Sequence, residues 1–345
     1  MRIGIVGASG LVGETALRII AQRGSAEEVR LFASGRSAGR TMQFGNNELE
    51  IEDASVAGFE GLDVVITSVD SAIAKNLVPK ILEAVPSVVD NSSVFRMDPN
   101  VPLVLFGVND DVIDGYTGLV ANSNCTAAAV LLAVAPLAKA FGLTAMITTS
   151  MQSVSGTGRK AVEELMAQTG KADGQLQALL GDGAVDVGAP SVYPHPIAFN
   201  VIPQCESFPP GADTSTEEEK MAGEARKILR LPNLTVHATA VRVPVYTGHS
   251  VAISLSFEKS VSPESVRAEL GHAAGLRVLD EPDKGVYPTS AQSVGIDEVL
   301  VGRIRTNPAM TNGLSIFVSS DNLRRGAALN AVEVAEKLAA TANAT

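Results

Sequence analysis

An apolar run, Arg2–Val6, breaks into Gly7-Ala8-Ser9-Gly10-Leu11-Val12-Gly13 and passes at once into a helical pattern over Leu11–Ala21. No other stretch restricts the fold as much. A buried strand that turns sharply through glycines into a helix opens a parallel, doubly wound α/β sheet. Glycines in that turn let the backbone approach a pyrophosphate, which then rests on the helix N-terminus. Gly7, Ser9, Gly10, Leu11, Val12 and Gly13 are therefore candidate cofactor contacts. The spacing alone is also compatible with a tight turn that binds nothing. A strand before it, a helix after it and a position at the chain start favour nucleotide binding.

A chain of 345 residues exceeds what one core usually supports, so two domains are expected. An apolar fraction of 46% without a long uncharged run predicts a packed soluble protein with no membrane span. The strand begins almost at residue 1 and leaves no room for a targeting peptide, which predicts a cytoplasmic protein. Lys and Arg number 27 against 38 Asp and Glu, a net charge of −11 without a basic stripe. That balance argues against a nucleic-acid partner. Two cysteines, Cys125 and Cys205, cannot form a disulfide framework and fit a reducing compartment. Four histidines with no Cys/His clustering argue against a metal site.

The second strand, Val29–Ala33, lies where dinucleotide folds place an acidic residue for the ribose hydroxyls. The chain instead continues Ser34-Gly35-Arg36-Ser37-Ala38-Gly39-Arg40. The hydroxyls and guanidinium of Ser34, Arg36 and Ser37 suit an extra 2′-phosphate, which favours NADP over NAD. A solvated basic turn is the alternative. Strands at Leu62–Val69 and Ser87–Asp90, separated by a helix over Ser71–Ala84, continue the alternation. Arg96 and Cys125 both follow strand-like segments, so both can face the crevice beyond the strand ends.

In Leu119–Leu132 a short strand runs through Asn122-Ser123-Asn124 into an alanine-rich helix. Asn124 is the expected N-cap and Cys125 opens the first turn. Unpaired N–H groups and the positive end of the macrodipole there stabilise a thiolate, lowering a thiol pKa from about 8.5 toward neutrality. A buried structural cysteine is the other reading, and this stretch alone leaves both open.

Leu143–Ser153 reads as a strand that breaks at Val154–Arg159, with a helix over Lys160–Thr169. Gly170–Gly188 reads as a mobile excursion or a loosely packed helix pair. Thr214–Leu229 is a helix with a Ser or Thr cap, an acidic first turn and later basic residues. Strands at Val236–Val245, Ser250–Phe257, Leu300–Ile304 and Leu314–Ser319 predict a second, α+β domain with a mixed or antiparallel sheet. Arg242 and His249 flank a turn between the first two; a lone histidine is more often structural than catalytic. An amphipathic helix over Ala327–Ala339 ends the chain. No repeat or linker is found, so the domains are expected to share a broad interface.

Ten segments resemble the aspartate-semialdehyde dehydrogenase family: GASGLVG, FASGRSAGR, DNSSVFRMDPNVPLV, ANSNCT, QSVSGTG, YPHPIAFNVIPQ, EEEKM, RVPVYTGHS, VGRIR and SDNLRRGAALNAVEVAEKL. They follow family order from residue 7 to residue 338. N-acetyl-glutamyl-phosphate reductases share the nucleotide motif and the Cys–His logic, but SSVFRMDP and NAVEVAEKL are closer to the aspartate enzymes. The resemblance implies that Cys125 is the nucleophile, His249 the acid/base and Gln152 a group orienting the acyl carbonyl. It implies Arg242 on the substrate carboxylate, Arg96 and Lys220 on phosphate, and Glu217 and Asn124 beside them. Ser155, Gly156 and Asn322 would join the cofactor contacts. The implied reaction is the NADP-dependent, phosphate-requiring interconversion of β-aspartyl phosphate and aspartate β-semialdehyde through a Cys thioester, on the route to lysine, threonine and methionine. The family also implies a homodimer, a cofactor domain of residues 1–124 with 321–345, and a catalytic and dimerisation domain of residues 125–320.

Several positions depart from the family pattern: Val69-Asp70-Ser71, Leu105-Phe106-Gly107-Val108-Asn109, Ser123, Met151 and Val251. They keep two alternatives open. One is a paralogue acting on another acyl phosphate or thioester, of N-acetyl-glutamyl or malonyl type. The other is an idle NADP-binding paralogue, against which the joint retention of Cys125, Gln152, Arg242 and His249 argues.

Overall fold

The computed structural model describes residues 1–55, 58–181 and 185–342. Among them, β1 (Arg2–Val6), β2 (Glu28–Ala33), β3 (Thr41–Phe44), β4 (Asn47–Asp53), β5 (Val64–Thr67), β6 (Ser87–Asp90), β7 (Leu103–Val104) and β8 (Gly118–Asn122) form one sheet. Its order is β3-β4-β2-β1-β5-β6-β8-β7. Every pairing is parallel except the edge hairpin of β3 and β4. Successive side chains of β1 point to opposite faces. Ile3 and Ile5 pack with α1 (Leu11–Arg23), while Val6 packs with α2 (Ser71–Leu82). Helices on both faces explain why the central strands are apolar throughout.

The second layer begins with α3 (Cys125–Phe141) and β9 (Leu143–Gln152), then α4 (Arg159–Lys171), α5 (Leu176–Gly181) and α6 (Thr216–Ile228). It continues through β10 (Thr235–Arg242), β11 (His249–Phe257), α7 (Pro263–His272), β12 (Leu276–Val278) and α8 (Ser290–Ser293). It ends with β13 (Val299–Thr306) and β14 (Leu314–Ser320), after which α9 (Leu329–Ala342) closes the chain. The second sheet runs β10-β9-β11-β14-β13-β12 and is mixed: the two outermost pairings are parallel and the inner three antiparallel. The predicted architecture of a Rossmann-like domain joined to an α+β domain with a mixed sheet is the one observed.

Helix α3 is buried on every side from Thr126 to Val134, as a helix apolar all round must be. It joins one core with Met146, Val251 and Phe257 of the second sheet and with Leu103, Leu105 and Ala121 of the first. The nucleophile candidate therefore heads a helix clamped between the two sheets. After β14 the chain makes a π-turn over Arg324–Ala328, with Gly326 N–H donating to the Asp321 carbonyl and Ala328 N–H to that of Leu323. It then returns as α9 to the first sheet, packing beside α1.

Three features were not foreseen from sequence: the β3–β4 hairpin, the short strands β7 and β12, and the helices α7 and α8. The predicted disturbance over Gly170–Gly188 contains the end of α4 and the short helix α5; residues 182–184 lie outside the described residues.

Candidate active site

The local sequence around Cys125 builds the site's centre. Asn124 has extended backbone (φ −64°, ψ 147°), and its Oδ1 accepts from Thr126 N–H at 2.8 Å and Ala127 N–H at 3.2 Å. The cap leaves Cys125 as the first helical residue. Its Sγ lies 3.4 Å from His249 Nε2, at the start of β11. Gly326 of the π-turn presses on the same residue, since a Cβ there would come within 2.9 Å of Cys125 Cβ. Sequence reasoning missed this glycine; the RRGAALN segment gives no local sign that its backbone meets the nucleophile.

His249 is fully buried. Ser153 N–H donates to its Nδ1 at 3.1 Å, and the Ser153 hydroxyl is also 3.1 Å from that nitrogen. Burial, and after it the Arg242 guanidinium, hold the imidazole well below the ordinary histidine pKa, so the ring is neutral. Asn322 completes this corner. Its Oδ1 accepts from Gly248 N–H at 2.9 Å and its Nδ2 donates to Ser155 Oγ at 3.0 Å.

A lowered thiol pKa was expected at this helix start, and the site reverses the direction. Burial above all, and the Glu217 carboxylate next, push the Cys125 thiol up to about 11; Arg242 and Arg96 pull the other way. Helix N–H groups can stabilise a thiolate only against the other charges present, and here desolvation and a carboxylate outweigh them.

Glu217 is a buried hub. It accepts from Asn124 Nδ2 at 3.1 and 3.2 Å, from Thr126 Oγ1 at 3.3 Å and from Gln152 Nε2 at 3.0 Å, and it stands 3.8 Å from Lys220 Nζ. Gln152 ends β9 and is thus tied to Glu217. A second carboxylate, Glu224, went unnoticed in the sequence. It lies two turns along α6 from Glu217 and accepts from Arg96 Nη1 at 3.0 Å and Asn124 N–H at 2.7 Å. Arg96 also donates to the Asn91 carbonyl, and Arg242 to that of Ser153. Both guanidinium groups are buried, and the Nε of each has no hydrogen-bond partner among the described residues. Buried donors left over in this way suit an anionic ligand.

Two clefts meet at the glycine turn. The first, of about 500 Å³, is lined by Gly10, Leu11, Val12, Arg96, Asn124, Cys125, Ser155, Gly156, Lys220 and Asn322, with Glu206 on Lys220. Gln152, Glu217, Arg242 and His249 do not line it: Glu217 holds Asn124 and Gln152, His249 meets Cys125, and Arg242 lies against Gly156. The second, of about 820 Å³, takes in Gly7, Ser9, Gly10, Ser34 and Arg36. Gly13 and Ser37 line neither: Gly13 packs against the Gly7 carbonyl, and Ser37 reaches Ser9 Oγ at 3.3 Å. Gly7 has φ +84°, and Gly10 begins α1 without a side-chain cap, so the first-turn N–H groups face the junction of the clefts. Such a junction suits a pyrophosphate, and the clefts on either side leave room for the rest of a dinucleotide. Asp70, at the start of α2, also borders both, and Asp53, at the end of β4, enters the second beside Arg36. Asp53 escaped sequence reasoning because it comes from a neighbouring strand rather than from the end of β2. Among the described residues no cluster of His, Cys, Asp and Glu could hold a metal ion, and no helix is long and apolar enough to cross a membrane.

Comparison with known proteins agrees with this geometry over the whole chain. Residues 2–116 match the semialdehyde dehydrogenase NAD binding domain, and residues 134–325 match the semialdehyde dehydrogenase dimerisation domain. The chain is 44% identical to the aspartate-semialdehyde dehydrogenase of Streptomyces akiyoshiensis and 41% identical to that of Mycolicibacterium smegmatis, in each case over 99% of both proteins. The crystal structure of aspartate semialdehyde dehydrogenase II from Vibrio cholerae, complexed with ASA, superposes with a TM-score of 0.89 at 33% identity. That match covers 98% of this chain and 97% of the other. With both family domains matched and relatives above 40% identity covering nearly the whole of both proteins, the chain belongs to the aspartate-semialdehyde dehydrogenase family.

Proposed function

We propose that the protein is an NADP-dependent, phosphate-using aspartate-β-semialdehyde dehydrogenase of amino-acid biosynthesis, working as a cytoplasmic homodimer through a Cys125 thioester. One observation carries the reading. The Cys125 sulfur lies 3.4 Å from a buried neutral imidazole, and two buried guanidinium groups nearby each hold an unpartnered Nε. A doubly anionic acyl phosphate needs such cations, and a thiol needs such a neighbour to work as a nucleophile.

In the reductive direction the Cys125 sulfur attacks the acyl carbon of β-aspartyl phosphate, and phosphate departs with the bonding pair to leave a thioester. The cleft lined by Cys125, Ser155, Gly156 and Asn322 would hold the nicotinamide, which would supply the hydride that reduces the thioester. Collapse of the resulting thiohemiacetal returns the sulfur and frees the aldehyde. Arg96 and Lys220 hold the phosphate, and Arg242 pairs with the substrate's other carboxylate. Glu217 keeps Asn124 and Gln152 in place around the acyl group, and His249 serves the sulfur. Gly7, Ser9, Gly10, Leu11, Val12, Ser155, Gly156 and Asn322 would hold the dinucleotide, with Ser34 and Arg36 on its 2′-phosphate. Residues 1–124 with 321–345 act as the cofactor half, and residues 125–320 supply the catalytic groups and the dimer sheet.

The deciding assay is NADP reduction by aspartate semialdehyde, with and without inorganic phosphate, for the wild type and Cys125→Ser. Turnover that requires phosphate and vanishes in the variant is expected. Turnover without phosphate, or surviving in Cys125→Ser, rejects the mechanism; activity on a different semialdehyde alone rejects the substrate.

A further inference from the structure

A lysine in the last turn of a helix ordinarily faces water, where its charge complements the macrodipole. Lys227, near the end of α6, does otherwise. Its Nζ donates to the carbonyls of Arg96 and Asp98, each at 2.8 Å, and to that of Val101 at 3.0 Å. An ammonium group has three hydrogens, so all of them go to one stretch of backbone. That stretch, between β6 and β7, is built of turns and braced from within by turn bonds, such as Arg96 N–H to the Ser93 carbonyl at 3.4 Å. It rests on α6 at a second point: a Cβ on Gly223 would come within 3.2 Å of Met97 Cε. Arg96 is consequently held at both ends by one helix, its carbonyl by Lys227 and its Nη1 by Glu224 at 3.0 Å. Glu217, Lys220, Glu224 and Lys227 follow one another at three, four and three residues and so share a face of α6.

We propose that Lys227 is a positioning residue for phosphate recognition: by clamping the Arg96–Val101 turn onto α6, it sets the separation of Arg96 from Lys220 and with it the grip of the site on a phosphate group. The proposal rests on the acyl-phosphate reading above and deepens it, by naming what holds the two cations in register. Two cations share one phosphate only when each meets a different oxygen at hydrogen-bond distance, so a small shift of either loosens the hold of the pair. Arg96 and Lys220 both line the cleft that holds Cys125, whereas Lys227 does not and spends its hydrogens on carbonyls. Lys227 therefore acts through Arg96 and touches neither the phosphate nor the reacting carbon.

Lys227→Met keeps the apolar stem and removes all three bonds. Its KM for inorganic phosphate, measured in NADP reduction by aspartate semialdehyde, should rise about tenfold or more, the scale on which misplaced binding groups lose effect. The KM values for NADP and the semialdehyde should move much less. Lys227→Gln, which still has two hydrogens to donate, should show a smaller rise and takes the place of the Met variant should that fail to fold. A loss of fold integrity alone would lower Tm and move all three KM values together. Phosphate binding is read without turnover from the rise of Tm with inorganic phosphate at constant ionic strength, and Lys227→Met should need about tenfold more phosphate for the same rise. A variant with the wild-type phosphate KM and Tm response, KM values that rise together, or a wild type whose Tm phosphate does not raise each overturns the proposal. A wild type that turns over without phosphate rejects the reaction instead, and the Tm titration alone then decides the role of Lys227.

Discussion

The guanidinium of Arg96 meets the carboxylate of Glu224 across 3.0 Å, with side-chain exposures of 9% and 1%. The same carboxylate accepts the Asn124 N–H at 2.7 Å, so one acidic group fixes both a candidate phosphate ligand and the cap of the nucleophile's helix. Removing one partner of a buried pair leaves the other charge uncompensated, which costs about 3–5 kcal/mol. Glu224→Ala is therefore expected to lower Tm sharply at fixed protein concentration. Glu224→Gln should lose less, because its amide oxygen still accepts from either donor. An unchanged Tm in the Ala variant would show that the pair contributes nothing to the fold.

The Cys125 thiol, pushed up to about 11 by burial and by Glu217, predicts a distinctive pH response of the free enzyme. Only the thiolate reacts with iodoacetamide, so alkylation of Cys125 should keep rising with pH beyond 9 instead of levelling near neutrality. Glu217→Gln removes a nearby negative charge and should move the curve to lower pH; Arg242→Ala removes a positive one and should move it up. A thiol raised above its unfolded value of about 8.5 holds its proton longer when folded, so its contribution to stability declines as pH climbs from about 8.5 to about 11. A plateau in the alkylation rate by pH 8 would contradict the electrostatics of the site.

What could be read from the sequence was local. The strand–glycine–helix opening and the Asn124–Cys125 cap depend on neighbours in the chain, and both formed as the residues dictate. Partnerships that set the chemistry span the chain: Arg96 and Glu224 are 128 positions apart. The acidic first turn and later basic residues of α6 mark a capped helix and nothing of its burial, yet Glu217 and Glu224 are both buried. Their spacing of seven residues, two helical turns, puts them on one stripe and was the available signal. The direction of the Cys125 shift was missed for the same reason, because a cap is visible in sequence whereas the carboxylate beneath it is not. Polar alternation in the β3–β4 hairpin, with most of its residues partly or fully exposed, hid the strand that carries Asp53.

Glu206, held at φ +63°, places its carboxylate on Lys220 Nζ and accepts from Thr216 Oγ1 at 2.7 Å. It borders the cleft that also holds Arg96 and Cys125. An anion arriving at Lys220 must compete with this internal carboxylate. Glu206→Gln is therefore expected to lower the KM for inorganic phosphate, by about tenfold if the lost competition is worth about 1.4 kcal/mol, with little change in the KM for the semialdehyde. A higher phosphate KM in the variant would mean that Glu206 organises the site instead of competing for it.

Cofactor choice turns on Arg36 and Asp53, which face the same cleft with opposite charge. Ser55 N–H and Oγ donate to Asp53 Oδ1 at 3.0 and 2.8 Å and hold its carboxyl below the ordinary carboxylate range. Its other oxygen lies so close to Gly35 that a Cβ there would approach within 2.7 Å. The carboxylate is thus fixed, ionised at neutral pH, and beside the turn where Ser34 and Arg36 would receive a 2′-phosphate. A carboxylate repels that phosphate but accepts from a free 2′-hydroxyl. Arg36→Ala should raise the KM for NADP far more than the KM for the aldehyde. Asp53→Asn should do the reverse to cofactor selection, lowering the KM for NADP and raising that for NAD. If Arg36→Ala leaves the NADP KM where it was, the 2′-phosphate is held elsewhere or the cofactor is NAD. If Asp53→Asn shifts neither cofactor, its carboxylate is turned away from the ribose and only secures the β4 end.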